Sequence, residues 1–131
     1  MTQTLLLDTH AFVWALRSPE LLGQRAVQAI GDPDASLLVS ASSVWELAIK
    51  HHAGRWPAAA AIVADLAGVL RELGAYVWPI TATHAVRAGT MAWRHTDPFD
   101  RMLAAIALVD RCTLVTKDRA FRSVPGLDVL W

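Results

Sequence analysis

The segment Leu5-Leu6-Leu7-Asp8-Thr9-His10 joins a short apolar run directly to the start of a helix pattern. A short, continuously apolar run is typical of a strand that is covered on both faces, as in a parallel sheet. A helix is predicted from Thr9 to Leu16, so Asp8 falls at the carboxyl end of the first strand. In an open α/β sheet, this is the edge at which ligands bind.

The same alternation of apolar runs and helix patterns continues along the whole chain. Further strands are predicted at 37–39, 76–78, 113–116 and 129–130, and further helices at 19–30, 42–52, 57–73, 83–93 and 97–110. Strands that alternate with helices favour a parallel sheet with helices on both faces. We therefore predict an α/β protein with three layers, α/β/α, around a mostly parallel sheet of four to five strands.

Composition limits the possible classes of function. The 131 residues carry twelve basic and twelve acidic side chains, so no overall positive charge is available for nucleic acid. The single cysteine, Cys112, excludes an intrachain disulfide and fits a reducing compartment. The first residues lack the basic region of a signal peptide, and the apolar stretch 58–70 is too short to span a bilayer. We expect a soluble, cytoplasmic protein without a membrane segment.

Four carboxylates, each from a different β-α unit, are predicted at one edge of the sheet. They are Asp8, Glu46, Asp100 and Asp118. Carboxylates that share a cleft raise each other's pKa, and a divalent cation removes this penalty. Ligands that offer only oxygen suit Mg²⁺ or Mn²⁺, and such sites can hydrolyse a phosphodiester.

Each of these carboxylates, taken alone, also has a purely structural interpretation. Asp8 stands where a helix N-cap is expected, although Thr9 would serve as well. Ser43-x-x-Glu46 has the spacing of a capping box, and Glu46 with Lys50 forms a favourable i,i+4 pair. For each residue taken alone, the structural alternative stays open.

The segment Asp97-Pro98-Phe99-Asp100-Arg101 is the densest motif of the chain. Asp97 fits an N-cap, Pro98 the first helical position, and Asp100 the first turn, where the helix dipole favours a carboxylate. Asp118 has the alternative interpretation of a turn aspartate. His95 is near enough in sequence to line the same cleft, although a surface position is the simpler interpretation.

At these motifs the chain resembles a PIN domain, and within that family a VapC-type toxin ribonuclease of a type II toxin–antitoxin system. The resemblance extends from Leu5 to about Leu130 and implies a single PIN-like domain over residues 1–131. Four segments carry it: Leu5 to His10, Ser42 to Lys50 with Gly54-Arg55, His95 to Arg101, and Leu114 to Asp118.

The resemblance implies a Mg²⁺- or Mn²⁺-dependent endoribonuclease. The acidic quartet of the family matches Asp8, Glu46, Asp100 and Asp118 residue by residue, with Asp8 and Asp100 as the expected direct metal ligands. Hydrolysis of an RNA phosphodiester by such a site would leave 5′ phosphate and 3′ hydroxyl ends.

Supporting residues and partners are also implied by the resemblance. Thr116 matches a hydroxyl position near the family site, Thr9 is placed to orient Asp8, and Asp97 and Arg101 belong to the motif without a settled role. Members of this type are usually homodimers. A small antitoxin protein inhibits them by covering the cleft with its C-terminal segment.

The positions of the acids also bear on three other classes of protein. A phosphoacceptor signalling domain needs two acids after the first strand and an acceptor aspartate after a central strand, but 77–80 contains no acid. A phosphatase with an Asp-x-Asp start is disfavoured because His10 stands at the second position. A PIN-like module that only docks proteins, without catalysis, remains a further alternative.

Overall fold

The computed structural model describes residues 2–131, which form one central sheet covered by helices. Within this range the strands are β1 (Thr4–Leu7), β2 (Ser36–Ser40), β3 (Ala75–Trp78), β4 (Thr113–Val115) and β5 (Val129–Leu130). The helices are α1 (Thr9–Arg17), α2 (Gln24–Ile30), α3 (Ala41–His52), α4 (Ala59–Ala64), α5 (Leu66–Leu73), α6 (Ala82–Thr90) and α7 (Pro98–Asp110). Two 3₁₀ turns lie at Pro19–Leu21 and Arg119–Ser123.

The sheet confirms the predicted fold class. Its strand order is β3-β2-β1-β4-β5, and every neighbouring pair is parallel. Leu7 at the end of β1 pairs with Val39 of β2 and with Val115 of β4. The carboxyl ends of these three strands therefore lie side by side, and the residues that follow them emerge at one edge of the sheet.

Alternate leucines of β1 supply the two halves of the core. Leu5 and Leu7 pack with Phe12 of α1 in one apolar cluster, whereas Leu6 packs with Leu103 of α7 in the other. All three β1 leucines are fully buried. Burial of both faces explains why this strand is continuously apolar, and it yields the three layers that were predicted. Among the described residues, no helix combines the length and apolar character that a bilayer span requires.

The helix predicted over 57–73 is two helices, and this detail of the prediction was wrong. Asp65 has φ −145° and ψ 66°, so the chain leaves helical geometry there. Its carboxylate accepts a hydrogen bond from the N–H of Gly68 at 3.0 Å and caps α5. An aspartate side chain can compete in this way for backbone donors, which interrupts a helix that its apolar pattern would continue. The end at Gly74, with φ +74°, agrees with the prediction.

Two other predicted helices are shorter than expected. The first of them, over 19–30, consists of a 3₁₀ turn and α2, which are separated by extended backbone at Leu22 and Gly23. The helix expected over 83–93 ends at Thr90, since Met91 adopts ψ 141°. The backbone carbonyls beyond this end are bound by a side chain of α7, so tertiary contacts replace the last helical turn.

Candidate active site

One cavity of about 220 Å³ at the carboxyl edge of the sheet brings together all four predicted carboxylates. We call it the acidic cavity. Its lining comes from α1, α3, α7 and the segment after β4, which are far apart in sequence and adjacent only in the fold. The lining residues are Asp8, Thr9, His10, Glu46, Lys50, Asp97, Asp100, Leu103, Asp118 and Phe121.

Asp8 is both a helix cap and a cavity residue. Its Oδ1 accepts a hydrogen bond of 2.7 Å from the backbone N–H of Ala11 and caps α1. The backbone N–H of Asp8 continues the sheet ladder by donating to the carbonyl of Val115 at 3.1 Å. The capping interpretation is therefore correct, but it does not compete with a functional one, because the same carboxylate faces the acidic cavity.

Glu46 does not form the capping box that its spacing with Ser43 suggested. Helix α3 begins earlier, with Ser40 as N-cap, so Glu46 lies in the second turn of the helix. Its Oε1 accepts a hydrogen bond of 2.6 Å from the Thr9 hydroxyl, and its Oε2 pairs with Lys50 at 3.1 Å. The predicted i,i+4 pair is thus present, and both oxygens of Glu46 are held by protein partners.

The start of α7 carries two carboxylates with different tasks. Asp97 is the N-cap, and its Oδ1 accepts from the N–H groups of Phe99 and Asp100 at 2.8 and 3.1 Å. Asp100, in the first turn of the helix, directs Oδ2 to His95 Nε2 at 2.6 Å. His95 stacks on Trp93 with ring centroids 4.7 Å apart. His95 is therefore a direct partner of Asp100 rather than a free surface residue.

Asp118 reaches the cavity from the turn after β4. Its backbone N–H donates to the Thr116 hydroxyl at 3.1 Å, and its Oδ1 accepts from the N–H of Ala120 at 2.9 Å. The side chain of Thr116 is buried, and its hydroxyl opposes the rise in the pKa of the nearby Asp8 carboxyl. The Thr116 hydroxyl thereby holds the backbone of Asp118 close to the Asp8 carboxyl, which is a structural reason for a hydroxyl at this position.

Carboxylates outnumber basic side chains in the lining of the acidic cavity. Burial raises the pKa of the Asp8 carboxyl, and the nearby charge of Asp100 adds to the rise, while hydrogen bonds from Thr116 and Ala11 oppose it. Burial likewise raises the pKa of Asp100, opposed by its hydrogen bond with His95 and reinforced by the charge of Asp118. A perturbed carboxyl pair in a cleft is typical of a functional site, because such burial disfavours folding unless a ligand compensates for it.

The sequence model of the PIN-domain family matches residues 5–127. This match covers nearly the whole chain and includes all the cavity residues. The chain belongs to the PIN-domain family. Over 92% of this chain and 91% of its relative, it is 35% identical to Ribonuclease VapC22 of Mycobacterium tuberculosis.

Solved structures of the same fold agree with this assignment. The chain superposes on the crystal structure of VapBC2 from Rickettsia felis, bound to a promoter DNA fragment, with a TM-score of 0.71 and 16% identity over 98% of both chains. VapBC-5 from Mycobacterium tuberculosis, a member of the VapBC family of toxin–antitoxin systems, matches with a TM-score of 0.62 and 19% identity, covering 97% and 95% of the two chains. At these identities the likeness establishes the fold.

The donors of this PIN-domain cavity fit a hard divalent cation. Carboxylates and hydroxyls offer only oxygen, and the raised pKa values of Asp8 and Asp100 show that the cavity favours added positive charge. No group of three or more His, Cys, Asp or Glu side chains within residues 2–131 is arranged to hold a metal ion unaided. A cation here would therefore retain several water ligands, which is usual for Mg²⁺.

Arg101 has a role that sequence reasoning left open. Its Nε donates to the carbonyl of Ala88 at 2.7 Å, and its two terminal nitrogens donate to the carbonyls of Met91, Trp93 and His95 at 2.6 to 2.9 Å. The guanidinium thus holds the irregular segment 91–95 of the PIN fold against α7. This segment places His95 against Asp100. Arg101 therefore positions His95, the partner of a cavity carboxylate, although Arg101 does not itself line the cavity.

We expect the Asp8→Asn protein, freed of metal, to be more stable than the metal-free wild type at neutral pH. A raised pKa means that folded Asp8 binds its proton more tightly than the unfolded chain does. The carboxylate therefore costs stability once the pH exceeds the unfolded pKa of about 3.9, and the cost is complete above the folded pKa. Asparagine caps a helix as well as aspartate does. Thermal unfolding in a chelator across this pH range measures the difference.

The stability difference should vanish on acidification and should shrink when Mg²⁺ or Mn²⁺ is added to the wild type. Asp34→Asn is the matched control, since Asp34 is exposed near the start of β2, at the opposite edge of the sheet. A difference between wild type and Asp8→Asn that is the same at acidic and neutral pH would contradict the electrostatic origin.

Proposed function

We propose that this PIN-domain protein is a metal-dependent endoribonuclease and the toxin of a toxin–antitoxin pair, acting in the cytoplasm. The observation that carries this proposal is the acidic cavity, in which carboxylates from three helices and the turn after β4 meet. The 35% identity to Ribonuclease VapC22 supports RNA as the substrate.

The pKa shifts and hydrogen bonds indicate different roles for the individual carboxylates. Asp8 and Asp100 have raised pKa values and are the best candidates to hold a cation directly, with Asp118 beside them. Glu46 has both oxygens bound, to Thr9 and to Lys50, so it would have to release one of them to coordinate metal. We therefore assign Glu46 first to orienting Thr9 and Lys50 in the cavity.

The remaining residues orient groups and neutralise charge. His95 fixes one oxygen of Asp100 and leaves the other available, and Thr9 fixes Glu46. Lys50 lines the cavity as a positive charge close to where a phosphate would approach. When bound, Mg²⁺ or Mn²⁺ would supply Lewis-acid stabilisation of the phosphate and acidify water for in-line attack.

Two protein partners are part of the proposal, a cognate antitoxin and a second copy of this chain. Beside Glu46 on α3, Trp45 is 62% exposed and Ile49 is 44% exposed, so an apolar surface lies next to the acidic cavity. A covering antitoxin segment would bury it. Co-purification with the protein of an adjacent short reading frame tests the antitoxin, and light scattering tests the dimer.

The decisive experiment is cleavage of mixed cellular RNA by the purified protein with Mg²⁺ or Mn²⁺, with and without chelator. We expect cleavage only with metal, and products with 5′ phosphate and 3′ hydroxyl ends, because water attacks in line and the 3′ oxygen leaves. End labelling distinguishes these products. Ends that carry 2′,3′-cyclic phosphate would contradict the mechanism, since they require attack by the ribose 2′-hydroxyl.

The alternative of a docking module without catalysis makes a different prediction for metal. A module that has lost catalysis has no reason to bind Mn²⁺ in this cavity. Titration calorimetry with Mn²⁺, for the wild type and for Asp8→Asn, separates the two. Binding that is weakened by the substitution favours the nuclease, and an absence of binding by the wild type favours docking.

A further inference from the structure

A second cavity, of about 290 Å³, adjoins the acidic cavity. It is lined by Asp8, His10, Trp14, Lys117 and Asp118. Asp8, His10 and Asp118 line both cavities, so the two spaces share a wall of side chains. A polymer bound at the carboxylates would reach the second space by passing these shared side chains.

The rings of His10 and Trp14 line the second cavity, and Trp56 lies beside His10 outside this lining. The imidazole of His10 lies 4.7 Å from the indole of Trp56 and 5.3 Å from that of Trp14, measured between ring centroids. Trp14 meets Trp131 edge-on at 5.8 Å. We call His10, Trp14 and Trp56 the aromatic wall. The two indoles are half-buried against the core, which fixes their planes, while His10 is exposed.

A lysine stands at each end of the aromatic wall. Lys117 Nζ lies 6.0 Å from the ring centre of Trp14, and Lys50 Nζ lies 5.1 Å from that of Trp56. Lys50 is paired with Glu46, whereas Lys117 is exposed and lines the second cavity. In a chain with no net charge, this is a local basic feature beside a cluster of carboxylates, and it is suited to a phosphate.

Flat rings next to lysines match the chemistry of single-stranded RNA. Unpaired bases stack on aromatic side chains while nearby cations bind the backbone. An arginine or lysine of a protein partner would also stack on an indole, and Asp8 and Asp118 would attract it. Once a cation neutralises these carboxylates, as the proposed function requires, Lys117 disfavours a second cationic group in this cavity and favours a phosphate. We infer that the aromatic wall and Lys117 form a subsite for one nucleobase and its phosphate, next to the phosphodiester held at the acidic cavity.

This subsite rests on the proposed ribonuclease function, so its test measures binding rather than cleavage. The full-length Asp100→Asn protein, with Mg²⁺, is titrated with a short oligoadenylate and with an abasic ribose phosphate oligomer of the same length. Stacking of one base predicts roughly 10- to 100-fold tighter binding of the oligoadenylate. Fluorescence anisotropy of labelled oligomers gives both affinities.

Two exposed side chains separate stacking from charge. In the same background, His10→Ala should reduce the ratio between the two affinities several-fold. Lys117→Gln should instead weaken both oligomers alike and lower the slope of log affinity against log salt by about one. Because both residues lie at the surface, these variants remain informative even if a Trp14 substitution unfolds the protein.

Matched controls are Tyr76→Leu on β3 and Arg111→Asn beyond the end of α7, which remove an exposed aromatic ring and an exposed charge that line neither cavity. Neither should change the affinities. Equal binding of the abasic oligomer, or a ratio that His10→Ala leaves unchanged, would overturn the subsite. The subsite would also be overturned if His10→Ala and Lys117→Gln kept both oligomer affinities and lost only a co-purifying protein partner. Failure of wild-type cleavage alongside base-dependent binding would contradict the nuclease proposal alone.

Discussion

Replacing Asp100 with Asn is expected to reduce metal-dependent RNA cleavage by roughly 100- to 1,000-fold without unfolding the protein. The substitution keeps the size of the side chain and its position at the start of α7, but removes a negative charge from the acidic cavity. A neutral amide binds a divalent cation more weakly than a carboxylate does, so the charge that develops on the phosphate is less stabilised. Initial rates on single-stranded RNA at saturating Mg²⁺ measure the loss.

The control for this loss is a second aspartate-to-asparagine change at Asp34, which is exposed at the opposite edge of the sheet. It should cleave at the wild-type rate. Circular dichroism and thermal unfolding must show that Asp100→Asn is folded, since only then does a loss of cleavage concern chemistry. An Asp100→Asn protein with wild-type activity would remove Asp100 from the proposed catalytic group.

Replacing Arg101 with Ala is expected to destabilise the protein by about 3 kcal/mol, or roughly 10 °C in Tm. The change removes hydrogen bonds to four backbone carbonyls, those of Ala88, Met91, Trp93 and His95. Hydrogen bonds from a charged donor contribute more than neutral ones, although losses at one side chain do not add fully. Cleavage should also fall about 10- to 100-fold, because His95 would no longer be held against Asp100.

Arg101→Lys separates shape from charge at this position. An ammonium keeps the charge but cannot reach four carbonyls as the planar guanidinium does, so an intermediate loss of stability is expected. Arg111→Asn removes a charge near the other end of the same helix and should have little effect. If Arg101→Ala unfolds at the wild-type temperature, the carbonyls have found other partners and the assigned role is wrong.

Much of the architecture could be predicted because buried faces of helices and strands produce a recognisable pattern of apolar residues in the sequence. Strand β1 has three consecutive leucines because each face of that strand contacts a separate core cluster. The caps at Asp8 and Asp97 and the helix end at Gly74 follow local backbone rules that need no tertiary information. The break at Asp65 was missed, since an apolar pattern on both sides of a residue does not reveal where its side chain finds a donor.

The acidic cavity was predictable only in part. Each carboxylate could be placed at a strand end or a helix start, and parallel strands bring such positions to one edge. The pair of Glu46 with Lys50 was predicted, but the hydrogen bond to Glu46 from Thr9 was not, because Thr9 is distant in sequence. The sequence placed His95 close enough to line the cleft but favoured a surface position. Its contact with Asp100 was not predictable, since His95 lies in an irregular segment whose path depends on Arg101.

The sequence by itself determined the α/β class, the order of the elements that form the sheet and the edge at which four acids gather. The class and the order of the elements follow from the apolar pattern, which can be read locally along the chain. The shared edge follows because all strands of a parallel sheet run in the same direction. Only the tertiary structure decided which atoms meet: Thr9 with Glu46, His95 with Asp100, and an aromatic wall with Lys117 beside the carboxylates. Such contacts depend on distances of a few ångströms between elements, and no spacing along a chain encodes them directly.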